Sequence, residues 1–557
     1  MNQKEQTSYY PEIWGGIECT IVRLKDKYND QLESAGHYKR NSDIRHLAEL
    51  GIKAIRYPLL WERHQPVRDM EIDWAWADRQ LHDLRDEKIV PIVGLLHHGS
   101  GPAFTDLAQP GFAEDLAAYA GLVAARYPWV EYYTPVNEPL TTARFSGLYG
   151  LWYPHQTDSL SFLTMLLNQV KGIVCSMKAI RQINPAARLV QTEDLSFTHS
   201  SPSLSYQADF ENQRRWLSYD LLCGKVDKAH PLWDYLLNTG IKEPELLFFT
   251  SNPCPPDILG LNYYVTSERF LDSEFNKYPA SVHGGNGRHK YVDVAAVRVT
   301  TPIGLLVLLE QVWQRYRLPI AITESHLNCT REQQLRWLKE TWETACQARS
   351  LNIDLRAVTS WALMGAYDWD SLLTVNKGHY ESGAYKVQDG QLKLTAVGAL
   401  IKNLARTGTC RHPLLEMPGW WHTRQQSTRK KSSHTRPLLI IGKPACSKLW
   451  FRTCHDRGIL CRLLFSFSSE LSPAYWQQLL RRYRPWGLII VSDTDTASRM
   501  LLSEICKQAG LPYMTWQGSG VPDEASVQDT LDLFIDDVMM QNIPAGQPIN
   551  TIQYDRK

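Results

Sequence analysis

Eight short apolar runs alternate with longer amphipathic stretches from the amino terminus to about residue 411 of this 557-residue chain. Runs rich in Val, Ile and Leu are typical of strands buried on both faces, and the amphipathic segments between them are typical of helices. We therefore predict strands at residues 13–19, 54–57, 89–96, 131–136, 188–192, 258–262, 320–323 and 357–363.

Helical patterns fill the intervals between these strands, for example at residues 112–126, 160–183, 302–316 and 330–348. Eight strands alternating with helices over some 400 residues predict an α/β fold of the (β/α)8 type, a TIM barrel with insertions. In that architecture the active site lies at the carboxyl ends of the strands.

Two glutamates stand at such strand ends. Glu138 lies in Thr134-Pro-Val-Asn-Glu-Pro139, and Glu324 lies in Ile322-Thr-Glu-Ser325. A buried carboxylate is costly unless it is paired, so two of them on different strands suggest a pair facing each other across a pocket. Such pairs carry out glycoside hydrolysis. A lone strand-end glutamate is more often a helix cap or a salt-bridge partner, and the Asn-Glu-Pro context of Glu138 makes that less favoured.

The two segments resemble the catalytic motifs of glycoside hydrolase family 1, the retaining β-glycosidases. Asn137-Glu138-Pro139 is similar to the core of its T-x-N-E-P motif, with Pro135 at the Thr position. Ile322-Thr323-Glu324 is similar to the start of its I-T-E-N-G motif, with Ser325-His326 replacing Asn-Gly. The resemblance implies that Glu324 is the nucleophile and Glu138 the general acid/base.

Further positions match the family strand by strand. The resemblance implies that Arg56 and Tyr264 support the nucleophile, and that His97, Asn137 and Trp361 bind the sugar. Any one of these residues alone is more often packed core, so their weight is collective.

The sugar-recognition segments depart from the family pattern. Asp368 stands where a Glu normally takes two sugar hydroxyls, directly before Trp369, and Glu18 is the nearest candidate for a missing Gln. The usual Trp-Asp after His97 is His98-Gly99. Because polar pockets discriminate strongly when their partners change, we expect altered sugar specificity.

After residue 412 we predict a flexible linker over 413–435, a second domain over 436–545 and a tail over 546–557. Short strands near 437–442, 459–465, 487–491 and 511–515 alternate with helices, which predicts a small Rossmann-like α/β domain. Its start resembles dTDP-4-dehydrorhamnose reductases and related sugar-nucleotide reductases. However, Gly442-Lys-Pro-Ala445-Cys-Ser-Lys448 keeps only the first glycine of their G-x-x-G-x-x-G turn, so we expect no NAD(P) binding and no cofactor.

The overall composition bears on binding partners and on the cellular location of the protein. Sixty Lys and Arg balance 59 Asp and Glu, so no nucleic-acid partner is implied. Eleven cysteines without C-x-x-C spacing are typical of reduced thiols, and the amino terminus lacks the apolar core of a signal peptide. We expect a cytoplasmic protein with no membrane partner and no metal site.

Three functions follow in order of preference. The first is a retaining O-glycosidase of altered specificity, acting on a carbohydrate or glycoside. The second is a catalytically weak or inactive carbohydrate-binding or regulatory protein, against which the joint presence of Glu138, Glu324, Arg56, Asn137 and Tyr264 argues. The least favoured is a sugar-nucleotide oxidoreductase acting through the second domain.

Overall fold

The computed structural model describes residues 10–422, 436–465, 472–491, 496–516 and 522–541. The described residues fall into two compact units, Met1–His326 with Glu340–Lys393, and Leu327–Lys339 with Leu394–Lys557. Most of the predicted linker, from residue 423 to 435, and the whole predicted tail lie outside the described residues.

The first unit is a closed barrel of eight parallel strands, which confirms the predicted barrel. The barrel closes because β1 pairs with both β8 and β2, in the order β1-β8-β7-β6-β5-β4-β3-β2. Its strands are β1 Glu12–Gly16, β2 Ala54–Pro58, β3 Val90–Gly94, β4 Tyr132–Thr134, β5 Arg188–Asp194, β6 Ile258–Asn262, β7 Ile320–Ser325 and β8 Leu355–Ser360.

One apolar layer of the barrel unit contains a side chain from each of the eight strands. Seven are buried and Tyr132 packs against them. The layer consists of Trp14, Ala54, Ile92, Tyr132, Val190, Ile258, Ala321 and Ala357. The layer includes residues at the amino-terminal ends of several strands, such as Ala54, Tyr132 and Ile258.

Helices connect the barrel strands, several of them within long insertions. They are Gln31–Ser34, Asp43–Ala48, Trp61–His64, Ala75–Asp86, Phe112–Arg126, Pro139–Ala143, Ser159–Ile183, Ser205–Arg214, Leu217–Leu222, Trp233–Asn238, Glu243–Ser251, Ala296–Val299, Leu305–Tyr316 and Arg331–Ser350, whereas Ala396–Thr407 follows the last barrel strand and belongs to the second unit. Single turns of 3₁₀-helix occur at His37–Lys39, Pro202–Leu204, Phe275–Lys277, Ala280–Val282, Trp369–Ser371 and Pro413–Leu415. The helix after β4 continues into a five-residue π-helix, Arg144–Leu148.

Three short two-stranded antiparallel sheets lie in the loops of the described residues. They are Ile21–Leu24 with Lys27–Asp30, Ala366–Tyr367 with Tyr380–Glu381, and Tyr385–Gln388 with Gln391–Leu394. A four-stranded sheet lies in the β5 and β6 loops, in the order Gly284–Gly285, Lys290–Ala295, Arg269–Asp272, Thr198–Ser200.

Helix Ser159–Ile183 is, within the described ranges, the one helix long and apolar enough by composition to cross a membrane. It packs along Phe112–Arg126, and 67% of its most apolar window is buried. These contacts make it a core helix of the barrel unit.

The second unit contains a parallel sheet of four strands, β9 Leu438–Gly442, β10 Cys461–Phe465, β11 Gly487–Val491 and β12 Tyr513–Trp516, in the order β10-β9-β11-β12. Its apolar core includes Ile441, Trp476, Ile490 and Leu502. The helices that follow these strands are Pro444–Asp456, Pro473–Tyr483, Thr496–Gln508 and Glu524–Gln541.

A buried cluster of charges ties residues 327–339 to the rest of the second unit. Glu332 is fully buried and accepts two hydrogen bonds from the guanidinium of Arg457, one of them 3.1 Å long from Nε. Arg457 also contacts Asp532 at 2.5 Å, and Arg331 pairs with Asp536 at 2.7 Å. The spatial unit therefore takes in a segment that lies about 100 residues before the predicted second domain.

We predict that Glu332→Ala destabilises the second unit, because it leaves the buried Arg457 compensated by Asp532 alone. Removing one partner of a buried ion pair costs about 3–5 kcal/mol, and Asp532 places the expected loss at the low end. Urea unfolding of the whole chain measures it. The exposed Glu504, which contacts Gln508, provides the control Glu504→Gln, expected within about 0.5 kcal/mol of wild type. Equal stability of the two variants would contradict the prediction.

Candidate active site

The residues predicted from the sequence meet at the carboxyl ends of the barrel strands. Each comes from a strand end or from the loop that follows it, so neighbouring strands bring distant parts of the sequence together. The set comprises Glu18 after β1, Arg56 on β2, His97 after β3, Asn137 and Glu138 after β4, Tyr264 after β6, Glu324 on β7 and Trp361 after β8.

Glu324 is held by two donors from opposite sides. Arg56 Nη1 donates to Oε1 at 2.6 Å, and the hydroxyl of Tyr264 donates to Oε2 at 2.5 Å. The carboxylate is 3% exposed, and the positive charge of Arg56 compensates its burial. Tyr264 stays protonated because burial and the charge of Glu324 both raise the pKa of its phenol well above the usual value. Glu324 is therefore a charged, rigidly oriented carboxylate.

Asn137 is oriented by the same arginine. Its Oδ1 accepts from Arg56 Nη2 at 2.6 Å and from Thr192 Oγ1 at 2.7 Å. With the oxygen fully used, the amide nitrogen is directed toward Nε2 of His97 and of His98, at 3.3 Å each. Asn137 thus presents an N–H donor beside Glu138.

Glu138 lies in a different environment from Glu324. Its contacts are Asn262 Nδ2, which donates to Oε1 at 2.5 Å, and His98 Nε2, which lies 3.7 Å from Oε2. Burial raises the pKa of Glu138 well above its usual range, and the negative charges of Glu324, Asp194 and Glu193 raise it further. The environment of Glu138 therefore favours its protonated form, whereas Glu324 is paired with an arginine, so two chemically identical groups are placed in opposite electrostatic surroundings.

The backbone at this site is strained. Glu138 has φ 44° and ψ 62°, and His98, Ala362 and Asp368 also have φ values between 50° and 55°. Left-handed backbone in residues other than glycine costs about 1–3 kcal/mol each and persists where surrounding contacts hold it. The Glu138 backbone is held by N–H donation to Thr192 O at 3.2 Å.

Three of the predicted sugar-binding residues form one wall. The ring of His97 stacks on Trp361 with centroids 5.3 Å apart, and Arg56 lies 4.5 Å above the same indole. Trp361 Nε1 donates to Glu18 Oε2 at 3.0 Å, while Thr20 N and Oγ1 donate to Glu18 Oε1. Glu18 therefore forms part of this wall, and burial raises the pKa of its carboxyl group.

The carboxylate of Asp368 is bound by backbone amides, whereas the family resemblance implies that it binds sugar hydroxyls. Its Oδ1 accepts from His379 N at 2.8 Å, and its Oδ2 accepts from Lys377 N and Gly378 N at 3.1 Å each. The carboxylate is thus occupied in closing a backbone loop. Trp369 next to it packs 5.8 Å from His98, and its Nε1 is buried without a partner in the described part of the chain.

Two residues outside the predicted set contact Glu138 directly. Asn262 lies in Gly-Leu-Asn-Tyr-Tyr and its Oδ1 accepts from Thr323 Oγ1 at 2.7 Å, which directs its amide nitrogen to Glu138. The pKa of His98 is lowered to about 3 by burial and by Arg56, so its ring is neutral. The signal for both was a polar residue directly at or after a predicted strand end.

Gly99, which follows His98, makes room for a carboxylate from another element. A Cβ at this position would lie 1.9 Å from Glu62 Oε1. Glu62 accepts from Gly101 N at 3.0 Å, and burial raises its pKa to about 8. A carboxyl group from helix Trp61–His64 thus fills the space beside the His97–His98 loop.

Comparisons with known proteins agree with this geometry. The sequence model of glycosyl hydrolase family 1 matches residues 11–380. An aryl-phospho-beta-D-glucosidase of Bacillus subtilis is 23% identical over 408 residues, covering 64% of this chain and 83% of the relative. A bifunctional beta-D-glucosidase/beta-D-fucosidase of Bifidobacterium breve is 24% identical over 401 residues, covering 64% and 85%. The family 1 β-glucosidase structure from Thermotoga maritima superposes with a TM-score of 0.59 at 16% identity, over 72% of this chain and 99% of that one.

We predict that Glu138→Gln stabilises the protein at neutral pH. Because the pKa of Glu138 is raised on folding, the folded state holds a proton that the unfolded chain releases above pH of about 4.3. Wild-type stability therefore falls as pH rises through the window between the unfolded and folded pKa values, at up to about 1.4 kcal/mol per pH unit. The variant lacks this titration, so its advantage grows with pH. Thermal unfolding from pH 4 to 8 measures it, with the exposed Glu33→Gln as control. An advantage that does not depend on pH would refute the prediction.

Proposed function

The chain belongs to glycosyl hydrolase family 1 and is a glycoside hydrolase, and we propose that it cleaves O-glycosidic bonds with retention of configuration. One observation carries the proposal: the buried carboxyl of Glu138, whose pKa is raised by burial and by the charge of Glu324, and the arginine-paired carboxylate of Glu324 stand at the ends of β4 and β7. Retention needs one carboxyl group that attacks and one that exchanges a proton.

In the first step, Glu324 attacks the anomeric carbon while the bond to the leaving oxygen breaks. Glu138 gives its proton to that oxygen, so the leaving group departs as a neutral alcohol. Arg56 and Tyr264 hold the two oxygens of Glu324, which fixes the direction of attack. The product is a glycosyl ester of Glu324.

In the second step, the charge relationship reverses. Esterified Glu324 carries no negative charge, so one of the influences that raise the pKa of Glu138 disappears. Glu138 then takes a proton from water as the water oxygen attacks the anomeric carbon, and Glu324 leaves as a carboxylate. Two inversions at one carbon give net retention.

We assign sugar recognition to the wall made by His97, Trp361 and Glu18, together with Asn137 and Trp369. We assign to Asn137 the sugar hydroxyl nearest the reacting carbon, because it directly precedes the acid/base and resembles the family asparagine with that role. Asp368, occupied by three backbone amides, supports the loop behind Trp369 rather than binding two hydroxyls itself. The substrate is thus a β-glucoside-like glycoside whose recognition differs from that of typical family members.

For the second unit we propose a Rossmann-like domain over residues 436–545, a shortened relative of sugar-nucleotide-binding domains, joined to a barrel domain over 1–412. Four parallel strands in the order β10-β9-β11-β12, with helices between successive strands, support it. We also propose that the protein works in the cytoplasm, where its eleven cysteines remain thiols.

We predict that Glu324→Ala and Glu138→Ala each lower turnover of aryl β-glycosides by orders of magnitude. General acid–base catalysis alone raises a reaction rate by about 10²–10⁴-fold. The assay uses gluco, galacto, manno and fuco substrates, and proton NMR of the first product tests retention. Glu33→Gln serves as the matched control, since this glutamate is exposed. Unchanged turnover in Glu324→Ala would contradict the assignment of Glu324 as the nucleophile.

We further predict that the whole chain does not bind NADH or NADPH. Lys443, Pro444 and Ala445 occupy the turn after β9, where a dinucleotide site needs glycines so that the backbone can approach the pyrophosphate. Calorimetric titration tests this, and saturable binding in the micromolar range would show it to be wrong.

A further inference from the structure

His98 stands where this chain departs from its family, which usually has Trp directly after the histidine that follows β3. The ring is buried, and the residue has φ 55°, a left-handed backbone conformation that is unfavourable for any residue with a side chain. Such strain persists only where surrounding contacts hold the residue in place, and it is concentrated at active sites. The strain therefore points to a role for this side chain.

The position of the proton on the His98 ring follows from its neighbours. Two donors hold Asn137 Oδ1, so the amide nitrogen of Asn137 is directed away from them and can only donate. This nitrogen lies 3.3 Å from His98 Nε2, which therefore accepts and carries a lone pair. Because the ring is neutral, its proton is on Nδ1, which donates to Thr142 Oγ1 at 3.0 Å. His98 thus presents an acceptor toward the carboxyl group of Glu138.

The two oxygens of Glu138 have different neighbours. Oε1 accepts from Asn262 Nδ2 at 2.5 Å, and Thr323 fixes the direction of that amide by donating to Asn262 Oδ1. Oε2 lies 3.7 Å from His98 Nε2, which is longer than a hydrogen bond, as is common at catalytic groups before substrate binds. A proton on Oε1 would oppose the amide hydrogen of Asn262, whereas a proton on Oε2 lies next to an acceptor. The contacts therefore favour Oε2 as the oxygen that carries the proton.

We propose that His98 is a positioning residue for the acid/base, which keeps the transferable proton on Oε2 of Glu138. This inference rests on the proposed glycosidase function and adds a residue that differs from the usual family pattern. His98 gains no charge during the reaction. One proton still passes from Glu138 to the leaving oxygen, and the electron pair of the broken bond stays with that oxygen.

The first test varies the leaving group, because an acid helps most when the departing oxygen is strongly basic. The series consists of 2,4-dinitrophenyl, 4-nitrophenyl, phenyl and methyl β-glycosides of the sugar that the wild type accepts. His98→Phe keeps a ring without the acceptor, and it is expected to lower kcat/KM for the phenyl and methyl glycosides about tenfold or more. The 2,4-dinitrophenyl glycoside, whose leaving group departs without a proton, is expected to stay within about twofold.

A second pair of variants keeps the ring and changes only its support. Thr142→Val deprives Nδ1 of its acceptor and is expected to give the same leaving-group dependence with a smaller loss, which Thr142→Ser restores. His98→Gln places an acceptor near the original one and is expected to recover part of the activity. His455→Phe, at an exposed histidine, is the matched control. Equal losses across the leaving-group series, or no loss, overturn the proposal.

The pH profile is a readout that a merely structural role would not move. A nitrogen that accepts from protonated Glu138 stabilises that form and raises its pKa, so loss of the acceptor lowers the pKa. The basic limb of kcat/KM, which reports the acid in the free enzyme, is expected to move to lower pH by about one unit in His98→Phe and to stay in His98→Gln. An unmoved limb in His98→Phe overturns the proposal. The other titratable and charged groups around Glu138 are the same in each variant, namely Arg56 on β2, His97 after β3, Glu193 and Asp194 on β5, Tyr219 on helix Leu217–Leu222, Tyr264 after β6 and Glu324 on β7.

An infrared titration separates failure of this inference from failure of the proposed function. In the whole chain, the C=O band of protonated Glu138 is the one that is absent from Glu138→Gln, and its intensity is followed with pH without any turnover. The midpoint is expected to fall by about one pH unit in His98→Phe. An unchanged midpoint overturns the role of His98. Absence of turnover in wild type on every glycoside overturns the glycosidase function and leaves this titration interpretable.

Discussion

The site depends on one side chain that reaches three strands. Arg56 leaves β2 and donates from Nη1 to Glu324 on β7 and from Nη2 to Asn137 after β4. The guanidinium supplies the positive charge without which a carboxylate at this depth would be strongly disfavoured. By fixing the oxygen of Asn137, it also determines that the amide nitrogen faces the two histidines. Arg56 therefore both compensates the charge of Glu324 and orients the side chain of Asn137.

Because Arg56 pairs with only one of the two glutamates, Glu324 and Glu138 have different electrostatic surroundings. Glu324 receives an arginine and a tyrosine, whereas Glu138 receives the amide of Asn262 and the fields of three other carboxyl groups. The left-handed backbone of Glu138 adds strain to its unfavourable burial. A group so placed is costly to the folded state, which is the usual relation between stability and activity at catalytic sites.

The sequence was sufficient for features that depend on local pattern. All eight barrel strands occur where apolar runs predicted them, because parallel strands buried on both faces leave such runs. Glu138 and Glu324 follow from short motifs at strand ends. Contacts between distant segments were not accessible in this way. The role of Asn262 depends on Thr323 across a strand pair, and the contacts of Asp368 depend on how the backbone at residues 377–379 returns to it. The membership of Glu332 in the second unit depends on Arg457, 125 residues later.

That last contact bears on how this protein can be divided. The second unit is built from two separate stretches of chain, and the buried Glu332–Arg457 pair joins them. A cut anywhere between residues 413 and 435 would leave Glu332 with the barrel fragment and Arg457 with the other, each a buried charge deprived of its partner. The carboxyl-terminal segment is therefore not a removable module, and a gene shortened at the boundary that the sequence suggests would encode a barrel with an unmatched charge on helix Arg331–Ser350.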